Sequence, residues 1–358
     1  MRLGALGVAV VAILLALTVA RPHATPGPEM RDFESYYAAG QAWSARANPY
    51  SVDIWQFEQR IPGVDKTRAE VLPFVGPPAF LPLWAFLARL PFGIAATLWG
   101  ALLLAATAMF LIVTLSRAGV LSIGAIASGV AILLGFGPFT SDLALGQAAL
   151  LSFAACIGAT IMLDRSRVVT AIWIFFAALQ PNIALVLFSQ AGRRKAAVLF
   201  AAVFAVFCAV GIACIGFPGA VAYMRDLAAH GDAERFVLIQ ITPTAIAYGL
   251  GAAPTVARIV GLFAFVAGII VWAYTMRKAH VSPVWKLAIS CALLPFVAPF
   301  FHEHDFVVLL LPALFCLAFA EERMWTIGAV GTVLSAVDWL GLAQRPDGTL
   351  QTALLTLG

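Results

Sequence analysis

Residues 93–115 read GIAATLWGALLLAATAMFLIVTL. No charged side chain interrupts the run, and it exceeds the ~20 apolar residues that a helix needs to cross a bilayer. Further apolar runs lie at about 3–20, 120–137, 146–163, 196–217, 255–275, 287–301, 306–320 and 325–341. Another, 168–189, is interrupted by Gln180-Pro181-Asn182. The composition agrees. Of 358 residues, 62% are hydrophobic and 11% charged, with a mean hydropathy of +0.95. A soluble domain is about a quarter charged. The chain is therefore read as an all-α polytopic membrane protein with about 9–11 transmembrane helices. A membrane β-barrel would show short alternating segments instead. Residues 3–20 are read as an uncleaved first span, because the run is long for a signal peptide.

The flanks orient the spans. Asp164-Arg165-Ser166-Arg167 precedes the interrupted run and Arg193-Arg194-Lys195 follows it. Cytoplasmic loops carry an excess of Lys and Arg. Both ends of 168–189 are thus expected on the cytoplasmic side, as a broken or re-entrant helix pair whose freed backbone groups are buried in protein. Arg2, Arg117, Arg277-Lys278 and Arg323 fall on the same side when the spans alternate. The long loop 21–92 then faces outward, together with 138–145, 218–254 and 302–305. Its Pro-rich part, 73–92, is expected to form interfacial helices, since a full span there would turn Arg117 outward. Residues 1–358 make a single transmembrane domain.

The net charge of +4 is modest, and no basic cluster points to nucleic acid. Cys156, Cys208, Cys214, Cys291 and Cys316 all sit in apolar runs without metal-ligand spacing and read as small core residues. There is no Walker loop, GxGxxG, HExxH or GxSxG in a suitable context. No cofactor and no metal is expected.

Polar groups do converge on the outer face. RDFESYY, residues 31–37, opens the first long polar stretch. Asp32 is either a helix N-cap or a general base placed to take a proton from an acceptor hydroxyl. Tyr36 lies one turn on, with Tyr37 beside it. Either ring could stack on a sugar, as could Trp43 and Tyr50. Gln147 opens a span after Gly146, and bonds either a neighbouring helix or a ligand. Gln180 and Asn182 unwind a helix at membrane depth, so they line either protein or a cavity. In PFFHEHDF, 299–306, a helix starting near Asp305 offers free N–H groups that suit a phosphate. His302 and His304 could add hydrogen bonds. Asp305 could equally be only a cap, and His-x-His could hold a metal if a third ligand were near. Such a footprint marks an active site or a transport vestibule.

The order of these features resembles a known family. A single span is followed by Asp32-Phe33 with Tyr36-Tyr37, then Asn48-Pro49-Tyr50, then Phe74-Val75-Gly76-Pro77-Pro78. Gly146-Gln147, the mid-membrane Gln-Pro-Asn, and Pro299 with its His-rich loop come after. The pattern is similar to glycosyltransferase family 87, the polyprenyl-phosphate-mannose-dependent mannosyltransferases of the GT-C superfamily, over about residues 30–310. Three positions depart from that pattern. Ala148-Ala149 follow Gly-Gln where the family usually has an Asn, Gln180 precedes Pro181 where a Lys is common, and Gly76 precedes the Pro pair where an aromatic is usual.

The resemblance implies a GT-C-like bundle covered by an outer loop with interfacial helices. It implies a polyprenyl-phosphate-sugar donor, a glycolipid or glycan acceptor, and an active site on the extracytoplasmic side of the inner or plasma membrane. Asp32 matches the place of the catalytic base. The loop 299–304 matches the segment expected to meet the donor phosphate, with Arg31 as a further candidate. Tyr36, Tyr37, Tyr50, Gln147, Gln180, Asn182, His302 and His304 are the candidate substrate-binding residues. One carboxylate suffices, because a phosphate leaves without being protonated, whereas a glycosidase needs two. The runner-up readings are a lipid or sugar transporter or flippase, which a broken helix also fits, and a structural subunit of an envelope-assembly complex.

Overall fold

The structure is a computed structural model and describes residues 30–67, 74–117, 119–237, 240–278 and 281–312. The expected spans at 3–20 and 325–341, and the later part of 306–320, lie outside the described residues. Within them the chain is helical and forms no β-strand, only one isolated antiparallel bridge between Gln240 and His302.

The segment before the bundle carries α1 (Arg31–Ser44), the single turn α2 (Trp55–Glu58), a 3₁₀ turn (Pro78–Phe80) and α3 (Leu81–Leu87). The 3₁₀ turn and α3 fall within 73–92. The bundle follows as α4 (Phe92–Arg117), α5 (Ile123–Gly135), α6 (Gly137–Leu145), α7 (Ala149–Met162), α8 (Arg167–Ala177) and the short α9 (Pro181–Ala184), which continues as a 3₁₀ stretch (Leu185–Gln190). Then come α10 (Arg194–Glu234), α11 (Pro243–Gly249), α12 (Pro254–Arg277), α13 (Pro283–Val297) and a 3₁₀ helix (Glu303–Leu309).

Among the described residues, α4, α10 and α12 are long and apolar enough to cross a membrane alone. The pair α6–α7 qualifies as one span bent by 112°. The apolar side chains that α10 and α12 leave outside, such as Phe204 at 67% and Phe263 at 73% exposed, have no aqueous rationale and suit contact with lipid. Helix α10 is not one rod. Gly216 adopts φ 68°, ψ 170°, and Pro218 follows, which breaks the i→i−4 ladder. The stretch up to Ile215 is apolar, and the remainder bends away to carry Glu234.

At the centre lies α7, buried from Ala149 to Thr160. Its small residues let neighbours approach closely. A Cβ on Gly158 would come within 2.7 Å of the Trp173 ring on α8. Phe110 of α4 packs on Phe153 of α7 with ring centroids 5.2 Å apart.

Basic side chains from several elements meet at one end of the bundle. Arg193 pairs with Asp164, which closes the α8–α9 segment back on itself. Lys286 Nζ donates to the Met276 carbonyl at 2.9 Å, and Arg117 lines a small gap with Thr160 and Val284. Of the basic residues expected on one side, Arg117 and Arg193 lie at this end, while Arg2 and Arg323 lie outside the described residues. The far end of α4 begins at Phe92, which packs against Phe33 of α1 at 5.9 Å. The polar candidates are found toward that second end.

Candidate active site

The first turn of α1 is set against the α6–α7 corner. Gly146 ends α6 in the left-handed conformation, φ 70°. Gln147 N–H donates to the Asp142 carbonyl at 3.0 Å, the closing bond of a Schellman turn. Met30 N–H donates to the Ala144 carbonyl at 3.0 Å, and the Trp99 indole donates to the Gly146 carbonyl at 2.8 Å. A Cβ at 146 would lie 2.9 Å from Cβ of both Met30 and Phe33. Only glycine satisfies both the torsion and the approach.

This corner delivers Gln147 to Asp32. The amide of Gln147 donates to Asp32 Oδ2, and its Oε1 accepts from the Tyr36 hydroxyl at 3.0 Å. The amide orientation follows from these two partners. Tyr36 stacks on Trp84 at 4.7 Å and meets Phe74 edge-on at 6.3 Å. Burial raises the pKa of its phenol, and the carboxylates of Asp32, Asp142 and Asp305 add to this. The phenol stays protonated and serves as a donor. Asp32 is the second residue of α1 rather than its N-cap, which is Met30.

A second network centres on Asp305, which is fully buried. Gln180 Nε2 donates to its Oδ1 at 2.8 Å, and Asn182 Nδ2 to its Oδ2 at 3.0 Å. His302 N–H reaches Oδ2 at 3.0 Å, so Asp305 also caps its own 3₁₀ helix. The break at Gln180-Pro181-Asn182 therefore turns two amides onto one carboxylate. The Gln180 N–H freed by the break donates to Ser152 Oγ at 2.9 Å. Burial pushes the Asp305 carboxyl up to about 6, against the His302 charge, the His302 N–H and Asn182, which lower it.

His302 and His304 stack with centroids 5.3 Å apart and planes at 13°. His302 Nε2 lies 2.9 Å from Gln240 Nε2 and 3.4 Å from Glu234 Oε2. Phe301 N–H occupies Gln240 Oε1 at 2.8 Å, so the NH₂ side of Gln240 faces the ring. Burial lowers the His302 pKa, but Glu234, with Asp305 and Asp32, outweighs it and the net shift is upward. Nε2 faces both the Gln240 NH₂ group and the Glu234 carboxylate, so its role follows the protonation of the ring, and the charged ring that Glu234 favours presents Nδ1–H as a donor. Burial holds His304 well below its ordinary pKa, with the His302 charge adding, so it is neutral.

The candidates therefore sort into groups. Asp32, Tyr36 and Gln147 form one network. Gln180, Asn182 and His302 form another with Asp305, and His304 stacks on it. Tyr37 and Tyr50 are buried and committed to backbone, donating to the carbonyls of Leu90 at 2.7 Å and Gly76 at 2.5 Å. Tyr50 supports Phe74 at 5.3 Å, and Phe74 in turn borders Tyr36. Trp43 donates to the Cys214 carbonyl at 2.8 Å, far along α1 from Asp32.

Sequence reasoning missed four residues. Asp305 was weighed only as a helix cap or phosphate-binding helix start, and Glu234 and Gln240 not at all. Asp142, near the end of α6, drew no reading from the sequence either. It is fully buried, and neither carboxylate oxygen has a hydrogen-bond partner. A carboxylate set between two apolar runs was the available signal. Among the described residues, His302, His304 and Asp305 place donor atoms within 4.8 Å of one another. A cation there would compete with Gln180, Asn182 and the His302 amide for the Asp305 oxygens.

Two carboxylates and a His pair at one end of a helical bundle suit a transfer in which one group takes a proton and others meet a developing anion. Compared with known proteins, the chain matches the model of one family, glycosyltransferase family 87, over residues 74–299. Gln147, Gln180 and Asn182 lie inside that stretch, Asp32 before it and His302 and His304 after it. No curated protein and no solved structure matches the chain.

Proposed function

We propose, from the premise that the chain belongs to glycosyltransferase family 87, that this membrane glycosyltransferase moves a sugar from a polyprenyl-phosphate donor to a glycolipid or glycan acceptor outside the cytoplasm. Mannose is the sugar that the family resemblance favours. Asp32 takes the proton of an acceptor hydroxyl. The hydroxyl oxygen bonds to the anomeric carbon as the bond from that carbon to the phosphate oxygen breaks, and the lipid phosphate leaves with the electron pair. In-line displacement inverts the anomeric centre. His302 Nδ1–H is a donor for the leaving phosphate.

The observation that carries this reading is the Asp32–Gln147–Tyr36 network. It holds a carboxylate at the end of the bundle remote from the basic flanks, and the positive-inside rule assigns that end to the outer face. The test is release of label from a radiolabelled polyprenyl-phosphate sugar by the protein in nanodiscs. Wild type consumes the donor, and Asp32→Asn does so about 100-fold more slowly or worse. EDTA leaves the rate unchanged, because the Asp305 oxygens are already committed to protein donors. A wild-type protein that moves the lipid across the bilayer without consuming it would instead be a flippase.

A further inference from the structure

A cavity of about 970 Å³ lies away from the Asp32 network, at the other end of α1. Asp32 and Ser44 are twelve residues apart, about 18 Å at the helical rise. The cavity is walled by the end of α1 and the loop to Asn48, by α2, by the end of α3, and by Cys214 and Ile215 before the α10 kink. Its volume falls within the range of small-molecule sites.

Three arginines line it, Arg46, Arg60 and Arg89, all of them exposed, and no Asp or Glu is among its lining residues. Arg60 lies over the Phe57 ring at 4.9 Å. None of the three forms an ion pair among the described residues. Like charges around one cavity repel, and guanidinium forks match phosphate and carboxylate oxygens. The three arginines also stand at the end of the bundle opposite Arg117 and Arg193, where the positive-inside rule disfavours them. A local role accounts for their presence there.

We propose that this cavity binds an anionic headgroup, its phosphate or carboxylate held by Arg46, Arg60 and Arg89. The anion comes either from a membrane phospholipid or from a glycan that also reaches Asp32. The site stands whether or not Asp32 is the base.

The test uses the full chain in phosphatidylcholine nanodiscs, titrated with glycerol 1-phosphate and read by calorimetry. Wild type binds saturably, and the combined Arg46→Gln, Arg60→Gln and Arg89→Gln variant binds about tenfold more weakly or worse. Asp32→Asn binds like wild type, which separates this site from the transfer reaction. Discs containing phosphatidylglycerol then distinguish the sources. Competition by the discs assigns the anion to membrane lipid, and unchanged affinity assigns it to a glycan. If the triple variant fails to fold, Arg60→Glu and Arg89→Glu each carry the test, since each must weaken binding. Absence of saturable binding to wild type, or equal binding by the arginine variants, overturns the proposal.

Discussion

Gln147 donates its amide to the carboxylate of Asp32 from the second residue after the α6 terminus, across more than a hundred residues of sequence. The bond ties α1 to the α6–α7 corner at the carboxylate that the proposed mechanism uses as its base. Gln147→Leu removes a hydrogen bond to a charged group, worth about 1.5–3 kcal/mol. The expected loss is about ten- to a hundredfold in kcat, with KM for the donor nearly unchanged. Gln147→Glu should be worse, because it sets a like charge beside Asp32. Steady-state kinetics on the three proteins decide it; equal rates for wild type and Gln147→Leu would remove the positioning role.

The Tyr36 hydroxyl bonds Gln147, which in turn bonds Asp32. Its ring is held independently by Trp84 and Phe74. Tyr36→Phe keeps that packing and loses one neutral hydrogen bond of about 1 kcal/mol. The expected effect is a fall in kcat of about fivefold, smaller than for Gln147→Leu. A larger loss in Tyr36→Phe would mean that the hydroxyl touches substrate directly.

Much of this arrangement was legible in the sequence, and the rest was not for identifiable reasons. The run 93–115 fixes a spanning helix because its length and lack of charge leave no other use for it. The break at Gln180-Pro181-Asn182 was visible because proline cannot continue the ladder. What that break faces was not visible. Asp305 lies more than a hundred residues further on, and its buried carboxylate reads locally as a helix cap, which it also is. Tyr37 and Tyr50 also have partners that the sequence does not reveal: their hydroxyls donate to the distant backbone carbonyls of Leu90 and Gly76. Glu234 and Gln240 gave no local signal, since a kink at Gly216 is what carries them to His302.

Gly146 has two independent reasons to lack a side chain. Gly146→Ala forces a left-handed torsion on alanine and sets its Cβ 2.9 Å from Met30 and Phe33. The strain costs about 1–3 kcal/mol. Relief requires α1 to move off the α6–α7 corner, which carries Asp32 away from Gln147. A lower melting temperature together with a loss of turnover at least as large as in Gln147→Leu is expected. A stable variant with full activity would show that the corner does not position the base.

The pH dependence of stability tests the buried carboxylate of the second network. The Asp305 carboxyl is raised to about 6 from an ordinary value near 3.8, chiefly by burial. A carboxyl with a raised folded-state pKa favours folding when protonated. Its contribution is complete below about pH 4 and is lost as the pH rises through about 6, a span worth a few kcal/mol. Asp305→Asn removes this titration, and it also sets an amide NH₂ among the donors of Gln180, Asn182 and His302. The variant is therefore less stable than wild type at every pH. Its deficit should shrink as the pH rises from 4 to 7, because wild type loses stability over that interval and the variant does not lose it through this group. Melting temperatures in detergent at half-unit pH steps read the difference directly. A deficit that grows with pH would mean that the carboxylate is better held as an anion than its burial implies, with the three donors outweighing desolvation.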